Sequence, residues 1–178
     1  MKKRYVIIVL LLIWTVIMIA RFIIRSLPNQ AQSEYEAYMN EMYEKGLTVK
    51  AQFDDAVIYC KEHEEDLMKV SESFLEQYHE YYEDITPEET NKIAQNNTSL
   101  EWTGLSEKLS LRYLTGYNGN RVYYLYAGGG NSILCIVYLD ADDSKVYDFD
   151  IGSETCLQKE KINDHLYVCL LQDQMVGI

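Results

Sequence analysis

Apolar residues are concentrated near the amino terminus of the chain. A mostly apolar run extends from Tyr5 to Ala20; Arg21 interrupts it, and residues 22–24 continue it. A helix of about 20 residues rises about 30 Å, which is enough to cross the hydrocarbon core of a bilayer. The segment lacks a polar face, which disfavours a helix buried in the core of a soluble protein. We therefore predict that residues 5–25 form a transmembrane helix in contact with the lipid bilayer.

A cleaved signal peptide is the alternative to a membrane anchor. Signal peptides have a shorter apolar region, of about 7–15 residues, followed by a small-x-small cleavage site. The nearest triplet of that form, Ala31-Gln32-Ser33, lies well beyond Ile24. An uncleaved anchor fits this pattern better, and a secreted soluble protein remains the alternative.

Basic residues flank the apolar run, with a small excess on its amino side. Lys2, Lys3 and Arg4 precede the run, whereas Arg21 and Arg25 lie at its far end. The more basic flank of a membrane span tends to stay in the cytoplasm. The asymmetry predicts a cytoplasmic segment, 1–4, and a single-pass plasma-membrane protein whose remaining chain is extracytoplasmic.

Helical spacing dominates residues 26–99. A first helix is expected over residues 31–46. In residues 49–84, apolar residues recur at intervals of three, four or seven, which predicts a long amphipathic helix. Glu64 and Ser71 interrupt this stripe in register. Its apolar members are Phe53, Val57, Cys60, Leu67, Phe74, Tyr78, Tyr81 and Ile85.

The sequence Thr86-Pro87-Glu88-Glu89 predicts the start of a further, short helix. Thr86 can supply the N-cap oxygen, proline suits the first turn, and Glu89 occupies the capping-box position. We expect this helix to end near Asn96-Asn97.

The period of the pattern changes to two in the region 100–178. Strands are predicted over residues 109–114, 121–127, 132–139, 145–151 and 166–171. The third of these, SILCIVYL, is apolar on both faces and is therefore expected in the centre of the sheet. The whole pattern predicts an α+β fold, in which four to five antiparallel strands pack with the helical region as one extracytoplasmic domain.

The uneven distribution of charge along the chain limits the classes of partner that it could bind. The formal net charge is −12, and residues 26–178 contain all 28 acidic residues but only 11 of the 16 basic ones. A surface this acidic repels a phosphate backbone. We therefore predict no nucleic-acid partner.

The four cysteines are Cys60, Cys135, Cys156 and Cys169. An even number of cysteines outside the cytoplasm is compatible with disulfides, although spacing alone leaves three pairings open. Cys156 and Cys169 are the closest in sequence and fall in neighbouring strand candidates, so they are the predicted pair. Cys135, within an apolar strand, is expected to be a buried free thiol.

The dispersed histidines and cysteines do not form a tight metal motif. Cys60-x-x-His63 lies on a predicted helix, and His165-x-x-x-Cys169 lies about a hundred residues further on. The sequence therefore predicts no metal, no cofactor and no catalytic residue. A membrane-tethered enzyme whose site forms only in the folded chain, near His165, Asp148 or Asp150, is the alternative.

Tyrosine is unusually abundant, with 16 residues in the chain. Tyr78, Tyr81 and Tyr82 fall on one side of the predicted long helix, and tyrosine is favoured at interfaces because it combines a large ring with a polar tip. These three residues are the predicted interaction surface. The sequence as a whole predicts a membrane-anchored, protein-binding or envelope-associated module with a protein partner or self-association.

Overall fold

A computed structural model of the chain describes residues 13–22, 30–78, 86–115, 120–140, 149 and 154–173. Contacts divide the chain into two units, Met1–Asn40 and Glu41–Ile178. Helices precede a five-stranded antiparallel sheet, so the predicted α+β class is confirmed.

The described part of helix α1 comprises residues 13–22, and all ten of these residues are exposed. None of the helices in the described part of the chain is both long and apolar enough to cross a membrane. Residues 5–12 and 23–25 of the predicted span lie outside the described residues, so the span stays a prediction. The further helices are α2 (Gln30–Lys50), α3 (Phe53–Glu62), α4 (Glu64–Gln77), α5 (Pro87–Asn96) and α6 (Leu100–Leu105).

Helix α2 does not stop at Gly46 but continues to Lys50, which corrects the predicted boundary. Gly46 serves close packing instead, since a Cβ there would lie 2.7 Å from Asn131 Oδ1. Gly130 lies against the same helix from the turn between two strands. Its φ is +62°, and a Cβ there would lie 1.9 Å from the carbonyl oxygen of Met42. Glycine on both sides therefore lets the helix approach the chain reversal between two strands.

The predicted long helix is divided into α3 and α4 at His63, whose φ and ψ are −115° and 23°. Backbone hydrogen bonds continue across the junction, from the His63 N–H to Tyr59 and from the Leu67 N–H to the His63 carbonyl. The interruption is therefore a bend. Three acidic residues in the first turn of α4 lie where the helix dipole favours negative charge.

The predicted apolar stripe is buried at most of its described positions, and Val57 is partly buried. Phe53, Cys60, Leu67 and Phe74 are buried, and so is Ser71, the polar residue that interrupts the stripe. The four apolar residues belong to the core cluster between the helices and one face of the sheet.

Ser71 joins the stripe to the sheet through buried hydrogen bonds. Its hydroxyl donates to the carbonyl oxygen of Leu67 at 2.6 Å and lies 2.7 Å from the Tyr124 hydroxyl, which therefore donates to it. A buried hydroxyl stabilises a fold only when it is hydrogen-bonded. Ser71, the polar residue in the stripe, therefore joins α4 to the sheet by a hydrogen bond.

The capping box at the start of α5 is confirmed. The Thr86 hydroxyl accepts from the Glu89 N–H at 3.3 Å, and the Glu89 carboxylate accepts from the Thr86 N–H at 2.9 Å. The hydrogen bonds that the Glu89 carboxylate accepts from the Thr86 N–H and the Thr86 hydroxyl lower the pKa of Glu89. The six-residue helix α6, capped by Ser99, was not predicted.

The strands are β1 (Ser110–Thr115), β2 (Arg121–Gly129), β3 (Ser132–Leu139), β4 (Glu154–Lys161) and β5 (Leu166–Asp173). Their order in the sheet is β1-β2-β3-β5-β4, with every pair antiparallel. Four of the predicted strands are confirmed, and β3 occupies the predicted central position. The fifth predicted strand, 145–151, lies outside the described residues except for Phe149, which is buried.

Strand β4 was not predicted because its residues carry little apolar signal. Its sequence is ETCLQKEK, and residues 157–161 are exposed. It is an edge strand with a bulge at Leu157 and charged residues beyond it, two features that protect sheet edges from unwanted pairing.

The sheet is strongly curled. Arg112 on β1 and Glu154 on β4 form an ion pair at 2.5 Å, although these strands are at opposite edges. Four inter-strand spacings in a flat sheet would separate the edges by roughly 19 Å, more than the two side chains can span. Bulges at Arg112, Tyr126 and Leu157 increase the local twist that brings the edges together.

Phe74 provides a test of the helix packing. It is fully buried, with its ring centroid 5.1 Å from that of Trp102. We expect Phe74→Ala to lower the free energy of unfolding by about 3–5 kcal/mol in urea denaturation followed by tryptophan fluorescence. The exposed neighbour Glu76 is the control, and Glu76→Ala should change stability by about 0.5 kcal/mol or less. Equal midpoints for the two variants would contradict this packing.

Candidate functional site

The sheet face away from the helices, here called the second face, carries a separate buried cluster. The burial of this face is unusual because the helices pack against the opposite face. Its buried residues are Tyr123, Cys135, Val137, Leu139, Phe149, Tyr167, Cys169 and Leu171. Cys156 is partly buried and packs against them.

Three of the four cysteines therefore meet on the second face and form what we call the thiol cluster: Cys135, Cys156 and Cys169. Cys135 on β3 is directly opposite Cys169 on β5. Cys156 on β4 is opposite Leu171, immediately before the bulge, and its thiol donates to the carbonyl oxygen of Gln158 at 3.5 Å. All four cysteines are free thiols in the structure, and the predicted Cys156–Cys169 disulfide stays a prediction.

Burial controls the acidity of these thiols. It raises the pKa of Cys135 to about 12 and that of Cys169 well above the usual value, since a thiolate loses solvation there. The contact with Cys156 raises the pKa of Cys169 further. At neutral pH, Cys135 and Cys169 are therefore protonated and are poor nucleophiles.

Charged side chains border the second face. The Arg112–Glu154 pair is near enough for both charges to act on the pKa of Cys135, which Arg112 lowers and Glu154 raises. The Lys159 ammonium lies 4.8 Å from the ring centroid of Phe149, and the Lys161 ammonium lies 5.9 Å from that of Tyr167. The stems of these lysines cover aromatic rings while their charges remain at the surface.

The two cysteines of the metal pattern belong to different buried clusters. Cys60 is in the cluster that packs on the helices, whereas Cys169 is in the second-face cluster. The His63 ring contacts Tyr59, with 4.3 Å between centroids. Among the described residues there is no group of three or more His, Cys, Asp or Glu side chains that could hold a metal ion.

His165 is the described residue among the three considered for an enzyme site, and its ring and backbone contact neighbouring residues of the fold. Its Nδ1 lies 2.8 Å from the carbonyl oxygen of Leu139, and its ring stacks on Tyr138 at 5.8 Å. The backbone N–H of His165 also donates to the Asn163 side chain at 2.7 Å. These contacts secure the turn that precedes β5. Asp148 and Asp150 lie outside the described residues.

The predicted tyrosine surface is described only in part. Tyr78 is 8% exposed and belongs to the core, whereas Tyr81 and Tyr82 lie outside the described residues. Large exposed apolar residues occur instead on α2. Within the larger unit, Tyr43 and Leu47 are neighbours one helical turn apart, exposed by 60% and 43%; we call them the α2 pair.

A concave surface is present at the bend between α3 and α4, with a volume of about 450 Å³. It is lined by the consecutive residues 61–66, four of which are acidic. Because the lining comes from one local segment, this concavity follows from the bend itself.

Comparison of the chain with protein-family models, with curated proteins and with solved structures finds no match.

Sequence reasoning missed two elements of the second face. The Arg112–Glu154 contact depends on the curl of the sheet, and no local pattern records which residues of two edge strands will meet. The position of Cys135 beside Cys169 depends on the β3–β5 register. The sequence pattern predicted both segments as strands, but it did not indicate which strands would pair or in which register.

The ion pair can be tested by a double-mutant cycle with Arg112→Met and Glu154→Gln. The two side chains are 32% and 15% exposed, so their interaction is less screened than that of a surface pair. We expect a coupling energy of about 1–3 kcal/mol from urea denaturation. The exposed Lys92–Glu88 pair, at 3.2 Å, is the control and should give about 0.5 kcal/mol or less. Similar couplings for both pairs would show that Arg112 and Glu154 do not hold the sheet edges together.

Proposed function

We propose that this chain is a single-pass plasma-membrane protein whose acidic extracytoplasmic part is a protein-binding module. The observation that carries the proposal is the exposure of the apolar helix α1. Residues 13–22 are all exposed, and a bilayer would remove their apolar side chains from water.

The exposed apolar area of α1 is large for a ten-residue segment. Seven large hydrophobic side chains are 47–74% exposed: Ile13, Trp14, Val16, Ile17, Met18, Ile19 and Phe22. Burying one such side chain fully is worth about 1.5–3 kcal/mol. Transfer of this segment into hydrocarbon therefore provides a strong driving force for membrane association, and residues 5–25 have the length to span the bilayer.

The distribution of charge supports the proposed orientation. The basic residues Lys2, Lys3 and Arg4 favour a cytoplasmic amino terminus, which puts the acidic remainder outside the membrane. An acidic surface facing an anionic bilayer is repelled from it. Such a surface would stay available to a soluble or membrane-bound protein partner.

The α2 pair supports protein binding. Tyr43 and Leu47 present an aromatic and an aliphatic side chain side by side, and a Glu41–Lys45 ion pair at 2.7 Å lies on the same helix. An apolar centre beside charged groups is the usual composition of a protein interface. We propose that the partner contacts this part of α2.

Membrane anchoring can be tested by adding charge to α1. An arginine at the centre of a membrane span costs about 2.5–3.5 kcal/mol of insertion free energy. We expect Ile13→Arg combined with Ile17→Arg to move the protein from alkali-washed membranes to the soluble fraction. Glu34→Arg, outside the predicted span, should leave it in the membranes.

The same membranes test the orientation. Protease added to intact spheroplasts should digest the chain beyond Leu27 while a cytoplasmic control protein survives. Full protection in intact spheroplasts would reverse the proposed orientation, and a protein that stays soluble without substitution would contradict the anchor.

Protein binding can be tested with a photoreactive amino acid in place of Tyr43 in intact cells. We expect a discrete crosslinked species that becomes at least about tenfold weaker when Leu47→Asp is added, since a charge in an apolar contact costs more than about 1.4 kcal/mol. The exposed Gln95 on α5 is the control position and should give no discrete product. Equal crosslinking from both positions would show that the α2 pair is not a binding surface.

A further inference from the structure

Three aromatic rings, from α3, from the bend between α3 and α4, and from β2, meet at the surface. The Tyr59 ring contacts both of the others: its centroid is 4.3 Å from that of His63 and 5.6 Å from that of Tyr126. All three side chains are partly exposed. We call these three residues the ring cluster. A ligand in solvent can reach these rings, whereas it cannot reach the buried aromatic residues of the core.

A cation of the chain itself lies on the ring cluster. The Lys108 ammonium is 4.3 Å from the ring centroid of Tyr126, within the range of about 6 Å over which an aromatic face attracts a cation. Lys108 is exposed and belongs to the turn between α6 and β1, where its N–H donates to the carbonyl oxygen of Leu105 at 3.0 Å. Its four-carbon side chain is flexible, so the ammonium can leave the ring without a change in the backbone.

Negative charge surrounds the ring cluster. Burial raises the pKa of the Tyr59 phenol, and Tyr126 and the carboxylates of Asp66 and Glu107 raise it further, because each can place negative charge beside it. His63 and Asp66 also line the concave surface at the bend, where four of the six lining residues are acidic. The ring cluster therefore borders an acidic recess, and its potential favours a cation.

The hydration of different cations indicates which class fits this site best. The lysine ammonium is a compact charge that holds its water strongly, and a ring contact must replace part of that water. A quaternary ammonium group carries methyl groups around its charge and holds water weakly. Proteins bind such groups on the faces of aromatic rings. A ligand of this class can therefore displace the Lys108 ammonium from the Tyr126 ring.

We propose that the ring cluster binds a small quaternary ammonium ligand, and that Lys108 competes with this ligand for the Tyr126 ring. The charged group of the ligand takes the position of the Lys108 ammonium, and a hydroxyl group on the ligand can donate to a carboxylate of the acidic recess. The inference goes beyond the proposed function and does not depend on it, because it uses neither α1 nor the α2 pair.

The test uses the full chain, purified in a maltoside detergent that carries no ammonium group. Choline is the probe, and its control is the neutral alcohol in which a tert-butyl group replaces the trimethylammonium group. Saturation-transfer NMR on the methyl protons of each compound gives the two dissociation constants. We expect choline to bind and the neutral alcohol to bind at least about fivefold more weakly. Equal affinity for the two compounds, or no binding of choline, would overturn the proposal.

A pair of lysine substitutions tests the competition. Lys108→Gln should strengthen choline binding at least about twofold, because the ring is then free in every molecule. Lys50→Gln removes the same charge from an exposed position on α2 and should leave the affinity unchanged. If both substitutions strengthened binding equally, the effect would come from net charge, and Lys108 would not be a competitor at the ring.

Substitutions of Tyr126 test the ring itself. Tyr126→Phe keeps the aromatic face and should bind choline as the unchanged chain does, whereas Tyr126→Leu should weaken binding at least about fivefold. Tryptophan fluorescence during thermal unfolding checks that each variant is folded. Undiminished binding in a folded Tyr126→Leu variant would contradict the proposal. If this variant does not fold, the comparison of choline with the neutral alcohol still decides.

A lysine compound distinguishes a second source of an ammonium group, which is a side chain of another protein. Acetyl-lysinamide carries the primary ammonium of such a side chain, and we expect it to bind more weakly than choline because it holds its water more strongly. Equal or tighter binding of acetyl-lysinamide would assign the ring cluster to a protein lysine and overturn the assignment to a small ligand.

Discussion

Arg112 and Glu154 are on the two outermost strands of a five-stranded sheet, yet their side chains form an ion pair. This contact requires the sheet to curl until its edges approach each other. The curl encloses the second face, so the central strand β3 is buried on both sides although helices cover only one of them. The thiol cluster and the lysines over Phe149 and Tyr167 depend on this geometry, which the bulges help to produce.

The opposite face is fixed by a different combination of forces. Phe74, Trp102 and Tyr124 form an aromatic group in the core, and the Ser71 hydroxyl connects α4 to Tyr124. Gly46 and Gly130 allow α2 to approach the sheet at a second point, where side chains larger than hydrogen would collide. Apolar burial thus supplies the stabilisation, while one buried hydrogen bond and two glycines specify how the helices are placed.

The surface proposed for protein binding and the thiol cluster differ in their exposure. The α2 pair is exposed and apolar, which suits a protein contact. The thiol cluster is enclosed and reaches solvent through Cys156. Strand β4, which carries Cys156, buries little apolar surface and is held mainly by its pairing with β5. This edge is therefore the part of the sheet that packing stabilises least.

The sequence by itself determined the α+β class, the buried stripe from Phe53 to Phe74, the capping box at Thr86 and four of the strands. These features follow from periodicity and local hydrogen bonding, which short stretches of sequence encode. Tertiary structure alone decided that α2 passes through Gly46, that Ser71 belongs in the stripe, and that an exposed, charged segment forms β4. It also decided that Arg112 meets Glu154 and that Cys135 faces Cys169. Each of these depends on contacts between residues far apart in the chain, and the pairing of strands and the curl of the sheet bring such residues together without leaving a local pattern.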